Sequence, residues 1–243
     1  MQVIPLSEGA FTIDKTKLFV PFNEDLDNLQ ERAKGSLLVE VQPFLLISSE
    51  DVIVIDAGLG FTKHGTLQIH SNLAANGINP GDVTKVLMSH LHKDHAGGMS
   101  MEQDGKRVPA FPKATYYVQK KELEYALQPS PSYIREEIEF LQDAPFVKLL
   151  DGDGVIDGYI KYELTGAHSP FHQVFTLVDG GERVFYGGDD APQLQQMKSR
   201  FVAKYDYDGK KCMELRQKWW KEGEQEKWTF LFYHDVKNAV FSF

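Results

Sequence analysis

Apolar positions along this chain fall in short runs separated by turn residues, and the spacing alternates between strand-like and helix-like periods. Residues 36–42, 44–47 and 52–55 are rich in β-branched and apolar side chains, with Ser48-Ser49-Glu50-Asp51 as a polar turn, and they predict three successive strands. Val52-Ile53-Val54-Ile55 has no polar member, which predicts a strand buried on both faces. After Asp56-Ala57-Gly58-Leu59-Gly60, the spacing of Leu67, Leu73 and Ala74 predicts a helix that Gly77 closes. Residues 83–88 then predict another buried strand. Strand, helix and strand in that order imply a parallel pair with a helical crossover. Further strands are expected at 114–118, 159–164, 173–178, 183–186, 229–232 and 239–243, with helices at 120–127, 133–141 and 210–222. Many strands interrupted by helices predict an α/β protein in which two sheets pack face to face with helices outside. No repeat, low-complexity tract or Pro/Ser-rich linker divides the sequence, so residues 1–243 are expected to form one domain.

At the end of the strand expected over 83–88 stands His90-Leu91-His92-Lys93-Asp94-His95, which places three of the chain's eight histidines within six residues. Side chains alternate along an extended backbone, so His90 and His92 point the same way and can reach one ion. If the chain then turns toward Ala96-Gly97-Gly98, Asp94 and His95 can face a second ion. Imidazole and carboxylate are the usual ligands of zinc and its neighbours, and a catalytic site keeps a position open for water. A merely solvated histidine-rich loop is the bland alternative, and the density of the run argues against it.

Composition narrows the partners. The 26 basic and 35 acidic residues leave a formal net charge of -9, which provides no field for a polyanion, so nucleic acid is not expected. A small-molecule substrate of little or no charge fits better. Cys212 is the only cysteine, so no internal disulfide can form. The start, Met1-Gln2-Val3-Ile4-Pro5-Leu6-Ser7-Glu8, lacks the basic and apolar regions of a signal peptide. No run approaches the roughly 18 apolar residues of a membrane span. A cytoplasmic protein with no membrane partner is expected, as monomer or homodimer.

Ser89-His90-Leu91-His92-Lys93-Asp94-His95-Ala96-Gly97-Gly98 resembles the signature of the metallo-β-lactamase-fold hydrolases, and four further segments match that superfamily in order. They are Ile55-Asp56-Ala57-Gly58, Thr165-Gly166-Ala167-His168, Gly187-Gly188-Asp189 and Tyr233-His234-Asp235. The resemblance implies a four-layer αββα sandwich of two mixed sheets. It also implies that His90, His92 and His168 hold one metal, that Asp94, His95 and His234 hold another, and that Asp189 bridges them. Two divalent ions are implied, zinc first, with manganese, iron and cobalt as alternatives. Asp56 would orient a ligand, and His172 would support rather than coordinate. Asp190, His64 and His70 carry no expected role. The sequence departs from the family where Ala167 and Phe171 stand at positions usually occupied by glycine, which would narrow the pocket or alter the turn.

Two ions sharing a water lower its pKa toward neutrality, and the same charges stabilise a developing oxyanion. The expected reaction is hydrolysis of a small ester, lactone or phosphoester, with Asp94 as proton shuttle. The region from Asp189 to His234 is most similar to the methyl parathion hydrolase and acyl-homoserine lactonase branch. Ala191, Pro192 and Gln193, however, occupy the stretch where such lactonases place a tyrosine. Phe22, Phe44, Phe111, Phe171, Trp219 and Trp220 are candidate pocket aromatics, with plain core positions as the alternative. A thioesterase of the glyoxalase II kind would need a basic pocket, for which Lys210, Lys211, Arg216 and Lys218 are candidates. An iron dioxygenase on the same fold would use only part of the seven-residue set.

Overall fold

The computed structural model describes residues 1–243. Two six-stranded sheets form its centre. The first runs in spatial order Gln2–Pro5, Phe44–Ile47, Val52–Ile55, Lys85–Leu87, Thr115–Gln119 and Val147–Leu150. The second runs Gly154–Ile156, Ile160–Leu164, Gln173–Asp179, Glu182–Tyr186, Thr229–Leu231 and Val240–Ser242. Val52–Ile55 and Lys85–Leu87 pair in parallel through the helix Gln68–Ala75, and Thr115–Gln119 continues the parallel set.

The period of two sorts side chains between layers. Leu46, Ile53, Ile55, Leu87 and Tyr117 face inward against Phe175, Leu177, Val184, Tyr186 and Leu231 of the second sheet, in one buried cluster. Their sequence neighbours Leu45, Val54, Val86, Tyr116 and Val118 face outward, where Ile69 and Leu73 of one helix and Leu123 of another cover them. On the far side, Val174, Phe185 and Phe230 meet Trp219 of the long helix Gly209–Glu226. The result is helix, sheet, sheet, helix, the four-layer mixed-sheet sandwich expected from the sequence. Burial on both faces is why the strand over 52–55 has no polar position.

Several elements escape the sequence reading. Gln2–Pro5 is an edge strand, and Gly9–Ile13 sits between Phe19–Pro21 and Leu37–Val41 in a separate three-stranded sheet. Val147–Leu150 and Gly154–Ile156 are edge strands too short to show a period, and Ser100–Gln103 with Lys106–Pro109 forms a hairpin. The helix expected over 133–141 shrinks to a turn, Arg135–Ile138, followed by a 3-10 segment, Glu139–Leu141. Tertiary bonds hold its start out of the helix: the Tyr133 hydroxyl donates to Glu122 at 3.2 Å, and the Lys93 N–H donates to the Ser132 carbonyl at 2.9 Å. No helix is long and apolar enough to cross a membrane.

Candidate metal centre

The histidine run begins where Lys85–Leu87 ends, and its geometry follows from the bend there. His92 is extended, at φ -58° and ψ 148°, and Lys93–Ala96 then makes one helical turn. That turn swings Asp94 and His95 away from the side served by His90 and His92. Two glycines let the turn dock: a Cβ on Gly98 would lie 2.1 Å from the Ala57 carbonyl oxygen, and one on Gly97 would lie 2.3 Å from that of Leu59. Only glycine admits so close a backbone approach.

All seven histidines and aspartates expected at the site meet at one end of the sandwich, in two groups. In the first, His90 Nε2 is 2.9 Å from His92 Nδ1, and His168 Nε2 is 3.3 Å from that same nitrogen. In the second, His95 Nε2 and His234 Nε2 lie 3.6 and 3.5 Å from Asp94 Oδ2. Asp189 stands between them. Its Oδ2 is 3.2 Å from His168 Nε2, while its Oδ1 is 3.2 Å from His95 Nε2 and 3.1 Å from His234 Nε2.

These contacts suit cations better than they suit one another. Three imidazole nitrogens, from His90, His92 and His168, and a carboxylate oxygen of Asp189 lie within 4.8 Å of one another. Tetrahedral zinc with bonds of about 2.0–2.1 Å spaces its ligands by roughly 3.3 Å, which is near the separations found. His95 Nε2 and Asp189 Oδ1 are both buried without a hydrogen-bond partner although they face each other. Such unpaired polar atoms are costly unless an ion satisfies them. The residues present therefore fit a pair of metal ions.

Electrostatics divides the histidines. Burial, reinforced by neighbouring imidazoles, holds His90 and His92 well below the ordinary histidine value, so both are neutral and ready to coordinate. Burial also works against charge on His95, His168 and His234, yet all three are raised because the Asp189 carboxylate outweighs it, with Asp94 or Asp206 adding. Asp189 is driven well below the carboxylate range against its burial, chiefly by His234, His95 and His168.

A surrounding shell fixes the ring orientations. Asp56 adopts φ 53°, in the left-handed region, at the end of its strand. From there its carboxylate faces His95 Nδ1 at 2.8 Å and accepts the Ser89 N–H at 2.8 Å and the Tyr186 hydroxyl at 2.5 Å. Asp56 also lies near His90 and His95 as a third cluster, but its bond to Nδ1 makes it an orienting group. Asp206 faces His168 Nδ1 at 2.9 Å, and the Glu40 carbonyl faces His234 Nδ1 at 2.7 Å. Tyr233 stacks on His95 at 4.0 Å. Asp206 lies 38 residues from the histidine it orients, so no local signal could have found it.

Asp190, read as carrying no role, is fully buried and holds this shell together. It accepts the His168 N–H at 2.7 Å and lies 3.1 Å from His172 Nδ1. His172 in turn meets the Asp189 N–H at 3.2 Å, in the supporting position expected of it. His70 is bonded as well, with Nε2 2.9 Å from the Ala110 carbonyl.

The centre opens into a cavity of about 810 Å³. Its aromatic wall is not the one anticipated. Phe44, Phe111 and Trp219 are core, Phe22 lies under Arg32, and Trp220 packs on Phe241. Phe171 stands edge-on to Tyr125 at 5.9 Å, so it buttresses the wall from behind. Phe19, Tyr125, Tyr133, Phe201 and Tyr205 line the space instead. Tyr205 lies 6.4 Å from His168, and burial pushes its hydroxyl up to about 12, leaving a protonated donor. The basic helix face considered for a thioesterase is dispersed. Arg216 is buried and donates to the carbonyls of Asp190 and Phe201, Lys211 donates to the Thr165 carbonyl, and Lys210 and Lys218 pair with Glu214 and Glu222.

The chain is similar to several known proteins. One relative is the N-acyl homoserine lactonase AttM of Agrobacterium fabrum, 36% identical over 117 residues. That match takes in 43% of this chain and 40% of AttM, so it spans less than half the relative's length. A probable metal-dependent hydrolase from Staphylococcus aureus superposes with a TM-score of 0.79 at 23% identity, over 99% of this chain and 91% of that one. AidC, a dizinc quorum-quenching lactonase solved with its product, superposes with a TM-score of 0.72 at 20% identity, over 98% and 88% of the two chains. The model of the metallo-beta-lactamase superfamily matches residues 39–217, about three quarters of the sequence, and the chain belongs to that superfamily.

Proposed function

We propose that residues 1–243 form one hydrolase domain that opens a lactone or cleaves a related small ester at a dinuclear centre. The observation that carries this reading is the split of Asp189, whose two oxygens face two separate groups of ligands. His90, His92 and His168 would hold one ion, and Asp94, His95 and His234 the other, with Asp189 between. Two bound divalent cations, zinc in the first instance, supply an acidified water near neutral pH and a positive field for the oxyanion.

The chain's own groups do the rest. Asp94 Oδ2 stands in the second group, facing His95 and His234, where it could take the proton released on attack and return it to the leaving oxygen. The Tyr205 ring lies 6.4 Å from that of His168 and its hydroxyl stays protonated, so a tyrosine lines the cavity near the centre from a segment later than the stretch occupied by Ala191-Pro192-Gln193. Tyr133, packed 4.8 Å from His92, forms the cavity wall beside that ligand. The likeness to AttM supports a lactone over a phosphoester, and the dispersal of Lys210, Lys211, Arg216 and Lys218 counts against a glutathione thioester.

Elemental analysis combined with turnover tests the proposal. Two metal ions per chain and hydrolysis of an acyl-homoserine lactone, with phosphotriesters and thioesters slower, are expected. One ion per chain, or oxidation of a thiol substrate in place of hydrolysis, would overturn it and favour the dioxygenase alternative.

A further inference from the structure

A hairpin tip forms part of the cavity wall. Gly9–Ile13 and Phe19–Pro21 pair antiparallel, and residues 14–18 turn between them. Asp14 builds the turn: its Oδ1 accepts the N–H and hydroxyl of Thr16 at 2.8 and 2.5 Å, and its carbonyl accepts the Lys17 N–H at 3.0 Å. Lys17 then takes φ 60°, a left-handed conformation that non-glycine residues rarely adopt. It is half-buried and lines the cavity together with His92, Asp94 and Tyr205.

Its ammonium group has no carboxylate partner and makes no hydrogen bond, whereas the carboxylates around the cavity are all engaged. Asp94 and Asp189 face the ligand histidines, Asp206 faces His168, and Asp14 holds Thr16. The other cations on the wall are Lys15 and Lys93, and Lys93 Nζ donates only to the Pro131 carbonyl, at 3.2 Å. Three lysines without a carboxylate partner therefore rim the pocket of a chain whose net charge is -9.

We propose that Lys17, assisted by Lys15 and Lys93, is an anion-recognition site that selects substrates bearing a carboxylate or phosphate away from the bond that is cleaved. This rests on the hydrolase reading and deepens it, because it changes the expected substrate from neutral to anionic. The ester or lactone would lie at the histidines, with its charged end at the hairpin lysines that line the same cavity. A lysine ammonium acts there as a point charge, and partial burial strengthens its attraction over that in bulk water.

The test compares two esters that differ only at the far end: 4-nitrophenyl pentanoate and the 4-nitrophenyl monoester of glutarate. With metal-loaded protein, kcat/KM is expected to favour the monoester at least about tenfold, as one charge-assisted contact allows. Lys17→Met is expected to lower that ratio about tenfold and Lys17→Arg to retain it. Raising salt from about 50 to about 500 mM should shrink the ratio for the natural chain. A ratio near one, or the same ratio in Lys17→Met, overturns the site. Glutarate and inorganic phosphate as inhibitors distinguish the two anions, since the true class loses affinity in Lys17→Met. If no ester or lactone is turned over, the hydrolase reading falls by itself. Calorimetric titration of glutarate then decides the site: binding about tenfold weaker to Lys17→Met supports it, and equal binding overturns it.

Discussion

Asp190 Oδ1 accepts the backbone N–H of His168 at 2.7 Å, across 22 residues of sequence. The contact joins the loop that carries one ligand histidine to the residue following the shared aspartate. Asp190 also sits 3.1 Å from His172 Nδ1 and receives Arg216 on its carbonyl oxygen. One buried carboxylate thus ties three elements to the metal centre.

Asp190→Ala is expected to free the His168 loop and to leave His172 without its partner. Losing a group that braces a ligand typically lowers metal affinity about 10–100-fold, and leaving a buried polar group unsatisfied costs about 1–3 kcal/mol. Elemental analysis after dialysis should show fewer than two ions per chain, together with a lower urea midpoint. Full occupancy with unchanged stability would remove Asp190 from the architecture of the site.

Asp94→Ala is expected to leave a folded protein, because the Tyr233 hydroxyl bonds the Asp94 backbone carbonyl, at 2.5 Å, and the side chain is not needed for that contact. Loss of a ligand and proton carrier should reduce kcat by at least about 10²–10⁴-fold. Circular dichroism matching the natural chain, alongside a lactone or ester assay, reads both halves. Retained activity would defeat the assignment of Asp94.

Gly98→Ala places a methyl carbon where the Ala57 carbonyl oxygen lies 2.1 Å away. Backbone on both sides must shift, so a loss of about 1–3 kcal/mol or more is expected, measured as a lower denaturation midpoint. Because the turn carries Asp94 and His95, metal retention should fall with it. A neutral substitution would show that the loop relaxes freely.

Glu8 is buried, and desolvation, aided by the Asp94 charge and opposed by the Leu59 N–H it accepts, pushes its carboxyl up to about 7. Below about pH 4.5 both states are protonated. Between there and pH 7 the unfolded chain releases a proton that the folded chain keeps, so stability falls as pH rises and then levels off. Glu8→Gln imitates the neutral form. It should therefore stabilise the metal-free protein more at pH 8 than at pH 5, by about 1–3 kcal/mol. Urea midpoints at the two pH values, with chelator present, check this, and equal shifts at both would contradict it.

Much of the fold is legible in the sequence because the governing signals are local. The run over 52–55 is apolar throughout because helices cover one face and the second sheet the other, and residues 90–95 crowd their ligands into a strand end and one helical turn. The order of motifs from Asp56 to His234 likewise survives as order. The short edge strands Val147–Leu150 and Gly154–Ile156 were not legible, since three or four residues cannot display a period. Nor was the interruption of the helix near Tyr133, where Glu122 outcompetes helix propensity.

What the sequence determined by itself is therefore the set of candidate ligands and the alternation of apolar positions that layers the sandwich. What tertiary structure alone decided is how those ligands are shared and oriented. The two oxygens of Asp189 face different groups, Asp190 and Asp206 brace His168 from 22 and 38 residues away, and Lys17 comes to line the same cavity as His92. The reason is range: side-chain periodicity is set by neighbours along the chain, whereas hydrogen bonds and charges act through space between residues that only folding brings together.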